Sequence, residues 1–452
     1  MKLPVAPQRW EDYGSDGEGV GRAEVEQRSD MRPTAGEPPH PSRSSLFGLD
    51  WFVFFVANVQ TGFGAFISVY LTSMAWTQVD IGLVLSAGSV VALLGQMPGG
   101  AIVDAVRSER LVAGIAVALI GASALIFALW PNYVAVLGAS VLHAAASCVL
   151  GPAMAAISLG LVGYSGMSER LGRNARFGAI GNFAAAGAMG TFGYYISNRA
   201  VFLVTAALLV PALIALAFVR TSEVDPERAH GGQPEQPPQR PLSSLRHPAR
   251  RWPLLIFSLS FMLFQLANTA MLPLMGGVLT MRSAQWAWVL IAACMMVPQL
   301  LVALVSPWVG RQAQSWGRRP LLLIGFAVLP IRGLLFAVVH DPNVLVIAQL
   351  LDGISGAVFG VLVTLVVVDV ARDTGHFNLA LGIVGTAIGV GATLSTTLAG
   401  YVSDHFGSGT AFLVLAAIAA LGLASIWLLM PETRRDEKTP PRGRDPAAAS
   451  SH

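Results

Sequence analysis

Three side chains are conspicuous for their surroundings: His143, Arg332 and Asp352 each lie deep inside a long apolar run. At 1.5 Å of rise per helical residue, His143 falls about 16 Å and Asp352 about 14 Å from the start of its run. That is near the middle of a hydrocarbon layer about 30 Å thick. Ionisable groups at such depth are costly, so each carries a functional hypothesis by default. An imidazole titrates near neutrality, and one proton neutralises a carboxylate, so His143 and Asp352 are candidates for proton exchange. Arg332, in the preceding antiparallel run, reaches the depth of Asp352. A neutralising Arg332–Asp352 pair is expected, because neither charge is tolerable alone. The amides of Asn58, Gln60, Gln265, Asn268 and Gln349 lie at similar depth in other runs. Hydrogen bonding between neighbouring helices is the structural use of such amides, and a satisfied buried ring that of the histidine.

The elements that must position these groups follow from composition. The chain has 452 residues, 54% hydrophobic and 12% charged, against about 25% charged in soluble domains. Apolar runs occur at 49–72, 81–103, 111–130, 133–157, 177–197, 200–219, 253–275, 286–309, 320–339, 343–369, 378–402 and 410–430. Each is near the ~20 residues that a helix needs to cross a bilayer. The expected fold is therefore an all-α membrane protein of twelve transmembrane helices. They divide into bundles at 46–220 and 253–431, joined by a Pro-, Gln- and Arg-rich linker, 221–252. Residues 1–45 and 432–452 form tails. The first lacks the apolar core of a secretory signal and has a disordered composition, so Met31 could start the chain as well as Met1.

Connector charge orients the helices. Fifteen arginines fall in the connectors of one side, and only Arg199 and Arg282 in those of the other. The positive-inside rule places the fifteen, and both termini, in the cytoplasm. Cys148 and Cys294 lie inside apolar runs and give neither a disulfide framework nor metal-ligand spacing. The two lysines, Lys2 and Lys438, lie outside any G-x-x-x-x-G-K loop, which argues against a primary pump. No HExxH or CxxC is present, so we expect no enzyme, no metal and no cofactor. The dispersed arginines give no reason to expect nucleic acid.

The halves repeat. "FFVAN" at 54–58 matches "FQLAN" at 264–268, and Gly100 matches Gly310, both at an offset of 210. Gly178, Gly181 and Gly187 match Gly382, Gly385 and Gly391 at 204. "SVLHAAAS" at 140–147 aligns with "QLLDGISG" at 349–356, which pairs His143 with Asp352. An even number of helices per unit gives both units one orientation, hence two parallel pseudo-symmetric six-helix bundles.

Two hairpins carry a family resemblance. "GAIVDAVRSER" keeps Gly100, Asp104, Arg107 and Arg110, and "GRQAQSWGRR" keeps Gly310, Gly317, Arg318 and Arg319, with Gln314 in place of an acid. With the duplicated bundles, they make residues 49–431 resemble the major facilitator superfamily of transporters. The resemblance implies that these eight residues close the cytoplasmic side in one conformation. It also implies that helices 1, 4, 7 and 10 line a central cavity. The substrate and proton site would then be His143, Asp352, Asn58, Gln60, Gln265, Asn268 and Gln349, with Phe54, Phe63, Met262, Met271 and Phe359 as apolar lining. Helix 5 lacks the proline that exporters of the superfamily often carry, and helix 4 lacks their arginine.

The expected function is secondary active transport of a small solute by alternating access. The expected setting is a monomer in the bilayer of the inner membrane, coupled to protons and exporting a hydrophobic or amphipathic compound. Uptake of a small metabolite is the alternative, and a non-transporting sensor or scaffold the alternative of another class.

Overall fold

The computed structural model describes residues 41–434 except 62, 64, 233–247, 276–286, 340, 373 and 375. Most of both tails, the second part of the linker and Arg282 therefore lie outside the described residues. The described chain is helical: α1 (Arg43–Thr61), α2 (Ala65–Ser73), α3 (Gln78–Ala105), α4 (Glu109–Leu129), α5 (Tyr133–Tyr195), α6 (Asn198–Ala207), α7 (Leu209–Ala217), α8 (Pro226–Ala229), α9 (Pro248–Asn268), α10 (Ala287–Ser315), α11 (Arg319–Val338), α12 (Pro342–Ala371), α13 (Phe377–Phe406) and α14 (Ser408–Leu429).

Among the described residues, ten helical segments are long and apolar enough to span a bilayer. One of them, Tyr133–Gly193, contains two passes that join at Gly163, whose φ of +65° breaks the helix. Left-handed backbone is cheap for glycine alone, which lets the chain reverse there without a long connector. With α1 and α2 forming the first pass, the total is twelve. α6 and α7 are one pass, broken at Leu208.

Short polar residues between the passes start the next helix. Thr77 Oγ1 accepts from Asp80 N at 3.1 Å, Asn132 Oδ1 from Ala135 N at 2.9 Å, and Asp341 Oδ1 from Asn343 N at 2.8 Å. Each satisfies an N–H that the first helical turn leaves open. In hydrocarbon such a donor would find no water instead.

Each half has its own apolar core. Phe52, Ile120, Phe127 and Phe202 centre the first, and Phe257, Phe261, Phe326 and Leu365 the second. The outer surface is apolar as well: Leu94, Leu304 and Leu428 are each about 70% exposed. An apolar surface on this scale calls for hydrocarbon as its solvent. The halves meet through α5 against α10 and α3 against α13.

The linker differs from a free tether over its first twelve residues. Thr221–Glu223 form a 3-10 turn, and Asp225 caps α8, with Arg228 paired to it at 3.1 Å. Asp225 N donates to Gly160 O of α5 at 3.2 Å. Local capping and contact with α5 override the flexible composition read from the sequence.

Within the second half, α13 crosses α9 so closely that a Cβ on Gly391 would lie 2.2 Å from Met262 O. Gly391→Val should therefore lower stability by about 1–3 kcal/mol through overpacking, read as a lower melting temperature of the purified protein in detergent. Gly187→Val, at a position with open space around it, is the control that should not.

Candidate functional site

The second half gathers four of its polar residues into one network. Arg332 on α11 donates to the Asp352 carboxylate on α12 and to Asn268 Oδ1 on α9. Asn268 Nδ2 in turn donates to Gln265 Oε1 at 3.5 Å. The guanidinium also lies 3.5 Å from Met271 Sδ and 5.9 Å from the Phe336 ring centroid. The Arg332 side chain is 3% exposed, but that of Asp352 is 34% exposed. The cation is thus locked in protein, while its counter-ion is only partly covered. Gln349, one turn before Asp352, is instead buried with Oε1 unpaired among the described residues.

In the first half, Gln60 and Ser147 exchange hydrogen bonds at 3.1 and 3.3 Å. Asn58 turns back to Phe54 O of its own helix at 2.9 Å, pressed against Gly181. His143 stacks flat on Phe63, with centroids 3.8 Å apart and planes at 17°, and its Nδ1 has no partner among the described residues. The structure therefore links Asp352 to Gln265, Asn268 and Arg332, while His143, Asn58 and Gln60 stay in the other half. Thr61, Asn182 and Gln299 were not singled out by the sequence reading. Thr61 Oγ1 donates to Asn182 Oδ1 at 3.1 Å, and Asn182 Nδ2 to Gln299 Oε1 at 3.5 Å across the halves. Lone amides in the apolar runs of α5 and α10 were the available signal.

The apolar lining expected from sequence is partly corrected. Met271 and Phe63 are buried within their own halves. Phe359, partly buried, packs edge-on to Phe261, Phe264 and Phe326 of the second core, with centroids 4.7–5.1 Å apart. Helix membership alone does not set which face a side chain takes.

Among the described residues, the arginine-rich connectors lie on one face, called here the basic face, and the halves close on each other there. A Cβ on Gly100 would lie 2.1 Å from Asn378 O. One turn further on, Asp104 accepts from Asn378 N at 3.2 Å, Asn378 Nδ2 at 2.8 Å and Leu379 N at 2.8 Å. A carboxylate from the first half thereby caps the positive N-terminus of α13 in the second. At the matching contact, a Cβ on Gly310 would lie 2.5 Å from Ser168 O and one on Gly172 2.7 Å from Ser306 O. Gln314 Nε2 also crosses, donating to Ser165 O at 2.8 Å.

The arginines of the two hairpins act within a half. Arg318 binds Asp369 at 2.8 Å, and its N–H donates to Glu432 Oε1 at 2.8 Å. Arg319 donates to Trp427 O near the end of α14. Gly317, at φ +91°, brings the chain against Glu432. Arg110 donates to Thr221 of the linker at 3.1 Å, and Arg107 is exposed.

The linker crosses this closure. Phe377 N donates to His230 O at 3.3 Å, and Asn378 Nδ2 to Ala229 O at 3.4 Å. The His230 ring lies 3.2 Å from Glu109 Oε1. Burial works against its charged form, but the Glu109 carboxylate and then the Asp104 charge outweigh it and raise its pKa above 6.5.

Comparison with known proteins gives four findings. The family model described as Major Facilitator Superfamily matches residues 49–329 and 283–451. An uncharacterized MFS-type transporter of Mycobacterium tuberculosis is 37% identical over 402 residues, covering 88% of this chain and 94% of that one. A multidrug efflux pump of Mycolicibacterium smegmatis, LfrA, is 29% identical over 196 residues, 42% of this chain and 38% of that one. Among solved structures, the MFS transporter FucP aligns at a TM-score of 0.68 with 15% identity, covering 85% of this chain and 97% of that one.

Two outcomes are expected from this geometry. Arg332→Met and Asp352→Asn should each destabilise the purified protein more than their combination implies, with a coupling of about 1–3 kcal/mol in a double-mutant cycle of melting curves. For His230 the folded pKa is the raised one, so its contribution is complete below about pH 6.5 and lost as pH climbs through the raised value. The melting temperature of wild type minus that of His230→Ala should therefore be largest near about pH 6 and close by about pH 9. A constant difference across that window would mean that the ring only packs.

Proposed function

This chain belongs to the major facilitator superfamily of transporters, and on that premise we propose that it exports a hydrophobic or amphipathic compound in exchange for protons. The observation that carries the reading is the division of exposure within the Arg332–Asp352 pair. A carboxylate that stays a third exposed can take a proton, while its buried partner cannot leave. Protonation of Asp352 removes the counter-charge of Arg332, whose remaining acceptors are Asn268 Oδ1 on α9 and Met271 Sδ. The network then shifts its load from α12 to α9, two of the helices that bear candidate substrate amides. His143 is the second candidate for proton exchange.

The basic face is read as cytoplasmic from its arginine excess. The conformation described is then closed to the cytoplasm by Gly100, Asp104, Gly172 and Gly310, with the cavity facing the other side. The polar residues available for a solute are amides and hydroxyls, with Asp352 as the exposed charge. That suits an amphipathic organic compound better than a doubly anionic one. The similarity to a multidrug efflux pump over part of the chain supports export.

The test uses everted vesicles and proteoliposomes with a panel of lipophilic drugs. Imposing a proton gradient should drive uptake into everted vesicles. Asp352→Asn should bring that uptake down to the gradient-free level while leaving drug exchange at equilibrium. Accumulation by intact cells instead would assign uptake. Full gradient-driven transport by both Asp352→Asn and His143→Ala would reject the proton site.

A further inference from the structure

Beside the Gly172–Gly310 contact, a cavity of about 400 Å³ opens on the outer side of the α5–α10 junction. Its polar wall is Arg173 and Arg176 of α5 and Arg311 of α10, with Glu169 the one carboxylate among them. Phe177 and Ile180, on the same face of α5, supply an apolar floor. Arg173 binds Asp50, which Arg170 also binds from the other side. Arg176 and Arg311 have no hydrogen-bond or ion-pair partner among the described residues. Three guanidiniums facing one carboxylate next to bare hydrocarbon-facing side chains form a site with an unused positive charge.

The level of the cavity in the bilayer is marked independently. Trp51 lies 6.2 Å from Phe177, and Trp308, which forms an edge-on pair with Trp316 at 5.5 Å, is one residue from Pro307 of the cavity wall. Both Trp51 and Trp308 are more than a third exposed. Tryptophans in such positions settle at the boundary between headgroups and acyl chains. Basic pockets between transmembrane helices at that boundary suit anionic headgroups, and guanidinium matches phosphate by paired hydrogen bonds.

We propose that this cavity binds the phosphate of an anionic phospholipid, held by Arg173 and Arg176 from one half and Arg311 from the other, with its acyl chain along Phe177 and Ile180. The two halves contribute different walls, so the site is whole only while Gly172 and Gly310 are in contact. The bound lipid therefore favours the state closed at the basic face. That last consequence rests on the alternating-access reading above; the binding itself does not.

The test measures binding without transport. Purified full-length protein in detergent is titrated with phosphatidylglycerol, phosphatidylcholine or inorganic phosphate, and its melting temperature and retained lipid by native mass spectrometry are recorded. Phosphatidylglycerol should raise the melting temperature by about 2 °C or more, and the other two should not. Arg176→Gln with Arg311→Gln should weaken retention of phosphatidylglycerol by at least about tenfold and leave melting without lipid unchanged. Either single substitution gives the same reading if the pair does not fold. An equal shift with phosphatidylcholine, an equal shift with inorganic phosphate, or unaltered retention by the variants would overturn the assignment. Loss of drug transport with intact lipid binding would count against the proposed function alone.

Discussion

The contact of backbone on backbone at Gly100–Asn378 and Gly172–Gly310 governs how the two halves of this protein fit. In hydrocarbon there is no hydrophobic drive between helices, so close van der Waals approach and interhelical hydrogen bonds must hold them. A side chain at either position would clash with the facing backbone, and the shift that relieves the clash would forfeit much of the dispersion contact. Once the backbones touch, Asp104 reaches the open N–H groups of α13. The glycine contact and the carboxylate cap thus depend on each other. Their joint strength comes from being made together or not at all.

The same low-dielectric reasoning explains the interior of the second half. A guanidinium in this setting needs a counter-charge and hydrogen-bond acceptors. Asp352, Asn268 and Met271 serve its two terminal nitrogens, while Nε has no partner among the described residues. The first half meets its polar needs differently, with neutral pairs such as Gln60–Ser147 and an aromatic stack on His143. Two halves alike in fold have therefore diverged in charge, and only one holds an ion pair at mid-depth among the described residues.

The passes and their duplication were readable because each transmembrane helix must satisfy its own backbone and shed charge, which leaves a strong one-dimensional signal. The Arg332–Asp352 contact was readable for a related reason: the depth of a residue follows from its count along the helix. What did not follow from depth was azimuth. Phe359 and Met271 point into their own half, and Asn182 and Gln299 point across the junction. Nor did the hairpin motifs reveal that Arg318 and Arg319 would serve Asp369, Glu432 and Trp427 within one half. Motif spacing fixes which turn a residue occupies and is silent on which neighbour that turn meets. The ordered first part of the linker was likewise hidden, since its Pro and Arg content matches that of a mobile chain.

The cap that Asp104 places on α13 has a consequence for how the two faces of the membrane are kept apart. The amides of Asn378 and Leu379 belong to a helix in one half, yet their acceptor belongs to the other. Separation of the halves strips both amides of that acceptor and hands them to water. Their exchange with deuterated solvent would then report how far the halves open. The protein carries in these two N–H groups an intrinsic gauge of its own separation, legible without any ligand.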